Sequence, residues 1–459
     1  MLLACAIGGL VAGLSLLGGD DDAAAQRSAR PNVVVVMTDD QDVRSLRVMS
    51  TVREQLRRSG TTFTNSFATF PLCCPSRSTF LTGQYAHNHG VQDNEPPAGG
   101  YAAFDDSRTL PISLRAAGYR TGLVGKYLNG YSTRRVPPGW SDWHALMRHH
   151  NRMYGYVLNE NGRSRSYGSR PRDYQTDVLA RKAAGFIDRA SRGRKPFFLT
   201  LATGAPHSET GREPGARNPR PAPRHRDRFR RTQLPRPPSF NEADISDKPA
   251  FVRSEPLIRG QALKTLAGRH RGRLGSLLAV DDAVRRLVAE LRDAGELANT
   301  LIVFTSDNGF LLGEHRLTAK TKLYEESARV PLLMRGPGVP RGVERRQITG
   351  NIDLAPTILD VTGAQPRRLM DGRSLIPLAR SPGAASARDI LFENQGSAAV
   401  RTSRYLYAEH RSGETELYDL RADPFQLRSR HDDPALAPTR ALLEQRLREL
   451  EDCAGASCR

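Results

Sequence analysis

The stretch Pro31-Asn-Val-Val-Val-Val-Met37, running into Thr38-Asp39-Asp40-Gln41-Asp42, sets the fold class. A continuous β-branched run is the pattern of a strand buried on both faces, as in a parallel sheet covered by helices. Ligand sites in such sheets lie beyond the C-terminal ends of the strands. Adjacent carboxylates there repel each other unless a cation joins them, so Asp39 and Asp40 are candidate metal ligands. Similar strands follow. Thr300-Leu-Ile-Val-Phe-Thr305-Ser306 ends in Asp307-Asn308, Tyr119 to Val124 ends in Gly125-Lys126, and Lys195-Pro-Phe-Phe-Leu-Thr-Leu-Ala202 runs into Gly204-Ala-Pro-His207. Helical spacing marks Arg44 to Ser59, Leu110 to a stop at Gly118, Thr176 to Ala190 and Leu274 to Ala294. The expected fold is α/β, a large, mostly parallel or mixed sheet flanked by helices. Asp39, Asp40, Asp307 and Asn308 place side-chain oxygens at two strand ends, which suits a hard cation, Ca2+ ahead of Mg2+. Zinc is disfavoured because no His/Cys cluster is at hand.

A second stretch, Pro71-Leu-Cys-Cys-Pro-Ser-Arg-Ser-Thr-Phe-Leu-Thr-Gly83, puts a thiol at the start of a helical run with Arg77 one turn on. Neighbouring cysteines rarely bridge each other, because the ring is strained. Pro75 has the fixed φ suited to a first helical position, and a helix N-terminus offers unpaired N–H groups to an anion. An anionic substrate is therefore expected, with Cys73 as the nucleophile precursor.

Cys73-x-Pro75-Ser76-Arg77 followed by Leu81-Thr82-Gly83 resembles the signature of the type I, formylglycine-dependent sulfatases, which have an alkaline-phosphatase-like fold. With His87-Asn-His89 after it, the run most resembles the branch of N-acetylglucosamine-6-sulfatases and extracellular heparan endosulfatases. The resemblance implies that a separate formylglycine-generating enzyme oxidises Cys73 to an aldehyde whose hydrate attacks sulfur and also lies at the metal. It implies Asp39, Asp40, Asp307 and Asn308 as calcium ligands, Arg77, Lys126 and Lys320 as cations facing the sulfuryl oxygens, and His207 as general acid. Lys320 is chosen because it lies three residues before Leu323-Tyr-Glu325, which leaves Lys322 as an outward neighbour. The arylsulfatase branch has a histidine two residues after the first lysine, where this chain has Leu128. Gly125-Lys-Tyr-Leu-Asn129 instead resembles the glucosamine-6-sulfatase branch, and His87 and His89 are candidates for helping sulfate leave. The implied function is hydrolysis of sulfate esters on a glucosamine 6-sulfate type sugar or an aryl sulfate. The alternatives are a phosphonate or phosphate ester hydrolase of the same superfamily and a non-catalytic binder of sulfated polysaccharide. A binder should have lost Cys73 or a metal ligand, and this chain has lost neither.

Composition frames these motifs. The 459 residues, 38% hydrophobic, suffice for one large domain and a smaller one. The expected division is a leader over 1–25, a catalytic domain over 31–376 with a Pro/Arg-rich insertion at 208–259, and a C-terminal subdomain over 390–459. In the insertion, nine arginines between Arg212 and Arg236 predict a surface loop without regular structure, either a solvated excursion or a basic rim near the site. Short strands at Ile390, Ala399, Tyr405 and Glu416 and a helix from Ala435 to Leu450 are expected to form the small antiparallel sheet of the family. The formal charge of +19 fits an acidic substrate, while nucleic acid ranks last because no nucleic-acid motif is present. The apolar run Leu2 to Leu17 before Ala23-Ala24-Ala25 predicts export, secreted or to the cell envelope. Membrane attachment would come only through an uncleaved leader or a lipid at Leu2-Leu3-Ala4-Cys5. Cys453 and Cys458 bracket a short glycine-containing loop able to close a disulfide in an oxidising compartment, and Cys74 is left as a buried thiol.

Overall fold

The computed structural model describes residues 30–147, 150–209, 218–381, 383 and 388–459; the expected leader lies outside them, as does part of the basic insertion. The valine-rich run is strand β1 (Asn32–Thr38), buried at every position. Val33, Val35 and Met37 enter one apolar layer, and Val34 and Val36 enter the other. Burying such side chains fully contributes about 1.5–3 kcal/mol each, which is why this run is central rather than at an edge.

Around it lie β2 (Thr61–Phe67), β3 (Arg120–Gly125), β4 (Asp142–Leu146), β5 (Val157–Glu160), β6 (Arg163–Ser166), β7 (Phe197–Ala202) and β8 (Thr300–Ser306). The hairpin of β9 (Leu311–Leu312) and β10 (Thr318–Ala319) follows, then β11 (Leu332–Arg335) and β12 (Val343–Gly350). The large sheet runs β12-β2-β11-β8-β1-β7-β3-β4-β5-β6. Its centre is parallel: β1 pairs with β7 and β8, and β3 with β7 and β4. Antiparallel β11, β5 and β6 make it mixed.

One face is covered by α1 (Cys73–Thr82), α2 (Leu110–Ala116) and, further along the chain, a helix over Leu354–Thr362. On the other lie α3 (Gln175–Ser191) and α4 (Gly260–Asp293); the Leu354–Thr362 helix of the first face is α5. The helix α4 begins well before the expected Leu274. Its first turns are largely exposed, and their short stripe of Leu263, Leu266 and Ala267 packs on a small cluster with Leu234, Phe310 and Leu312 rather than on the main core. Arg44 to Ser59 forms a 3-10 turn (Val43–Val48) and then α and π turns rather than one regular helix.

The C-terminal part is a second, antiparallel sheet of β13 (Ile390–Asn394), β14 (Ser397–Arg401), β15 (Tyr405–Glu409) and β16 (Thr415–Asp419). Leu391, Val400 and Leu417 meet Leu443, Leu447 and Leu450 of α6 (Ala437–Glu451), while Phe392, Leu406 and Tyr418 face Phe67, Leu323 and Tyr324 of the main body. A disulfide joins Cys453 to Cys458, with Cα atoms 5.1 Å apart. Among the described residues of the insertion, only a 3-10 turn (Pro223–His225) and a short helix (Ala250–Arg253) are regular. Its Arg224 is pinned to Asp177 and Asp282 on α3 and α4. No helix among the described residues is long and apolar enough to cross a membrane.

Gly125 shows how tightly the site edge is built. Its φ is +119°, and a Cβ there would lie 1.8 Å from the Ala202 carbonyl oxygen. The next residue, Lys126, donates its backbone N–H to that same oxygen at 2.8 Å. Gly125→Ala is expected to pry β3 from β7 and cost more than about 2 kcal/mol, read by chemical denaturation.

Candidate active site

Four adjacent parallel strands deliver the expected residues to one edge of the sheet. In the β1–β8 register Thr38 lies opposite Ser306, so Asp39 and Asp307 emerge side by side. Successive strand residues alternate faces, and two neighbouring carboxylates can share a site only if that alternation is broken. Asp40 breaks it with φ +68°, held by its N–H donating to Asp307 Oδ1 at 3.0 Å.

Cys73 opens α1, and Pro75 stands third in the helix rather than first. It remains within the first turn, where no N–H is required. Cys73 Sγ is 3.4 Å from Asp39 Oδ1 and 2.7 Å from Lys320 Nζ. Lys126 Nζ donates to Asp39 Oδ2 at 2.6 Å, and Lys320 Nζ also reaches Asp40 Oδ1. The Arg77 side chain puts Nε 2.9 Å from Asp307 Oδ2 and donates through Nη1 to the Lys126 carbonyl at 2.8 Å. His207 follows β7, with Nε2 3.6 Å from Asp40 Oδ2. Its Nδ1–H donates to the Ser208 carbonyl at 2.6 Å, which leaves Nε2 to face the site.

Three cations and three carboxylates therefore balance inside a buried cluster. Burial opposes ionisation of Asp39, but Lys126, His207, Arg77 and Lys320 together hold its carboxyl well below the usual range. Burial likewise works against Lys320, but Asp40, with Asp39 and Asp307 further off, outweighs it and keeps the ammonium charged. Burial, then the negative field of Asp39, pushes the Cys73 thiol up to about 12. An unmodified Cys73 is thus a protonated thiol at neutral pH, a poor nucleophile.

The donor set fits a hard cation. Ligand atoms of Asp39, Asp40, Cys73 and His207 all lie within 4.8 Å of one another. Asn308 gives both amide hydrogens away, to Asp40 Oδ1 and the Gly309 carbonyl at 2.8 Å each. Its Oδ1 is buried without a partner, an orphan acceptor of the kind a bound cation satisfies. Asp307 is more committed: Oδ1 accepts from the N–H groups of Asp40 and Asn308, and Oδ2 meets Arg77.

Other expectations fare differently. His87 is spent on Glu393 and the Cys453 carbonyl, and His89 on Thr79 and the Val91 N–H. Neither helps at the site, because both tie the α1 region together and to the C-terminal sheet. Leu128 is buried in the core. Lys322 points away, over the Phe251 ring.

Two residues at this edge escaped the sequence reading. Arg273 of α4 donates to the Asp40 carbonyl at 2.5 Å and to Asp42 at 3.0 Å, bracing the Asp39-Asp40 turn from below. The signal was a charge at the inner edge of an apolar helical stripe. His150 lies just past β4, beside β3, with its Nε2 buried and unpartnered. Its carbonyl accepts from Gln175 at 2.9 Å, and burial followed by Lys126 depresses the ring to about 3. Asp142-Trp-His-Ala-Leu146 has no β-branched run, so neither the strand nor the histidine past its end stood out.

A family model described as Sulfatase matches residues 31–364. The chain belongs to the sulfatase family. A second model, the C-terminal region of N-sulphoglucosamine sulphohydrolase, matches residues 313–453. The human N-acetylglucosamine-6-sulfatase is 34% identical over 95% of this sulfatase and 87% of its own length. A putative extracellular sulfatase Sulf-1 homolog of Caenorhabditis elegans is 38% identical over 76% of the chain, which spans about half of that relative (49%). A solved structure of a protein in complex with its substrate D-glucosamine-2-N,6-O-disulfate superposes with a TM-score of 0.78 at 26% identity, covering 92% of this chain and 97% of the other. Membership places this protein among the sulfuric ester hydrolases with an alkaline-phosphatase-like fold.

Proposed function

We propose that this sulfatase hydrolyses the 6-O-sulfate of a glucosamine-type sugar, using a formylglycine made from Cys73 and a Ca2+ ion held by Asp39, Asp40, Asn308 and Asp307. The observation that carries the reading is the convergence of Lys320, Asp39 and Cys73 Sγ beside the orphaned Asn308 oxygen. The hydrated aldehyde would supply a hydroxyl nucleophile and an exit for sulfate by re-forming the carbonyl, and the cation would favour that hydroxyl's ionised form.

The chain's own residues do the rest. Arg77, held by Asp307, keeps Lys126 in register through its backbone carbonyl. Lys126 and Lys320 bind sulfuryl oxygens, in a buried setting where each charge acts at low dielectric. His207 carries the proton for the leaving alcohol on Nε2, its tautomer fixed by the Ser208 carbonyl. The 31–376 and 390–459 segments act as catalytic domain and subdomain. The Cys453–Cys458 disulfide supports export to an oxidising compartment after removal of 1–25.

Peptide mass spectrometry of protein from its own host is expected to show a loss of about 18 Da at Cys73. Glucosamine 6-sulfate should then be cleaved in preference to phosphonate esters. Stripping the cation with a chelator is expected to lower the melting temperature, since a ligand at 100 times its Kd stabilises by about 2.7 kcal/mol. An unmodified thiol with phosphonate turnover would sink the reading.

A further inference from the structure

Beside the catalytic cluster, the turn between β13 and β14 meets the Lys320 loop. Asn394 Nδ2 donates to the Thr321 carbonyl at 2.9 Å, Thr321 N–H donates to the Pro71 carbonyl at 3.0 Å, and Gln395 reaches Asp93. Between these segments is a cavity of about 260 Å³, walled by Phe70, Phe251, Lys322, Asn394, Gln395 and Arg411 among others. At about 30 Å³ per water this is room for a sugar-sized group.

The lining carries two cations, Lys322 and Arg411, and no carboxylate among the described residues. Some nearby arginines are paired with acids, as Arg401 and Arg404 are. Among the described residues, neither Lys322 nor Arg411 makes an ion pair. The Lys322 ammonium is instead held 4.4 Å from the Phe251 ring centroid, and that ring packs edge-on against His410 at 5.3 Å. An aromatic face positions an ammonium while leaving its N–H donors for another partner. Asn394, Gln395, Ser397 and Ser412 add neutral donors and acceptors around it. Lys322 lies two residues past Lys320, so their Cα atoms are within about 7 Å. Thr321, between the two lysines, lines the pocket, which therefore adjoins the loop that carries Lys320.

We propose that this pocket is a second anion subsite, binding a sulfate or carboxylate on the sugar next to the one that is cleaved. It rests on the sulfated-sugar reading above and narrows it: the substrate is a polyanionic saccharide rather than a lone aryl sulfate. Two partly exposed cations act through screened fields, so the preference also shrinks as salt is raised.

The test compares matured wild-type protein with Lys322→Gln/Arg411→Gln. The substrates are glucosamine 6-sulfate, the same sugar linked to a uronate, and the same sugar linked to a sulfated neutral sugar. Wild type is expected to favour one or both disaccharides at least tenfold in kcat/KM. The arm that gains identifies carboxylate or sulfate as the second anion. The double variant should lose most of that preference through KM, and Lys322→Arg/Arg411→Lys should restore it. Equal preference in wild type and the Gln variant overturns the subsite, as does a wild type with no preference. If wild type cleaves none of the three, the sulfated-sugar reading fails. Calorimetric binding of the two disaccharides then decides the pocket: a tenfold weaker Kd in the Gln variant supports it, and an equal Kd overturns it.

Discussion

Cys73→Ala is expected to abolish turnover, lowering kcat by about 10^4-fold or more, while the protein stays folded. No neighbour can replace residue 73: Cys74 is buried, its thiol pushed up to about 11 by burial, and its backbone N–H is committed to Asn94. Removing one sulfur atom from a position that is 1% exposed leaves a small cavity and costs about 1 kcal/mol. It also frees Lys320, which keeps Asp40 as partner, so the carboxylate cluster remains neutralised. The check is kcat on a sulfate ester alongside the melting temperature. Retained turnover in the alanine variant would remove Cys73 from the chemistry altogether.

The second large effect is on stability. Arg77→Ala deletes the guanidinium between Asp307 and the Lys126 carbonyl, at a residue only 3% exposed. Burial and the charge of Asp39 already push the Asp307 carboxyl upward, and without Arg77 it is a buried charge with one partner fewer. Breaking such a pair from one side costs about 3–5 kcal/mol. At roughly 1 °C per kcal/mol for a chain of this size, the melting temperature should fall by about 3–5 °C. Arg77→Lys keeps the charge and loses the second prong, so it should recover part of the stability and little of the activity. A melting temperature unchanged in the alanine variant would mean that the cluster is not held together by this arginine.

The parts of the molecule that were legible in the sequence are those where one local pattern has one physical cause. Strands β1, β7 and β8 are buried on both faces, and a sequence can satisfy that only with a continuous apolar run. The strands that escaped notice lie further out. β6 reads Arg-Ser-Arg-Ser and is fully exposed, and β12 alternates exposed charges before its buried end. Such strands are held by ladder hydrogen bonds that composition does not record. The first turns of α4 were missed because their stripe is short, Leu263, Leu266 and Ala267, and packs on a small side cluster away from the main core.

For the site, the sequence by itself determined which groups are present and at which strand ends they emerge: Asp39 and Asp40, Lys126, His207, Asp307 and Asn308, with Cys73 and Arg77 one helical turn apart. Parallel strands force their C-terminal ends to one edge, so that much follows from topology. Only the tertiary structure decided which of these groups touch. It fixed Arg77 on Asp307, spent His87 and His89 on packing, brought Arg273 beneath the Asp39-Asp40 turn and His150 beside Lys126, and set Lys322 with Arg411 around a cavity between the Lys320 loop and the β13–β14 turn. These are contacts between residues far apart in the chain, set by strand register and helix packing in three dimensions, and no short-range pattern encodes them.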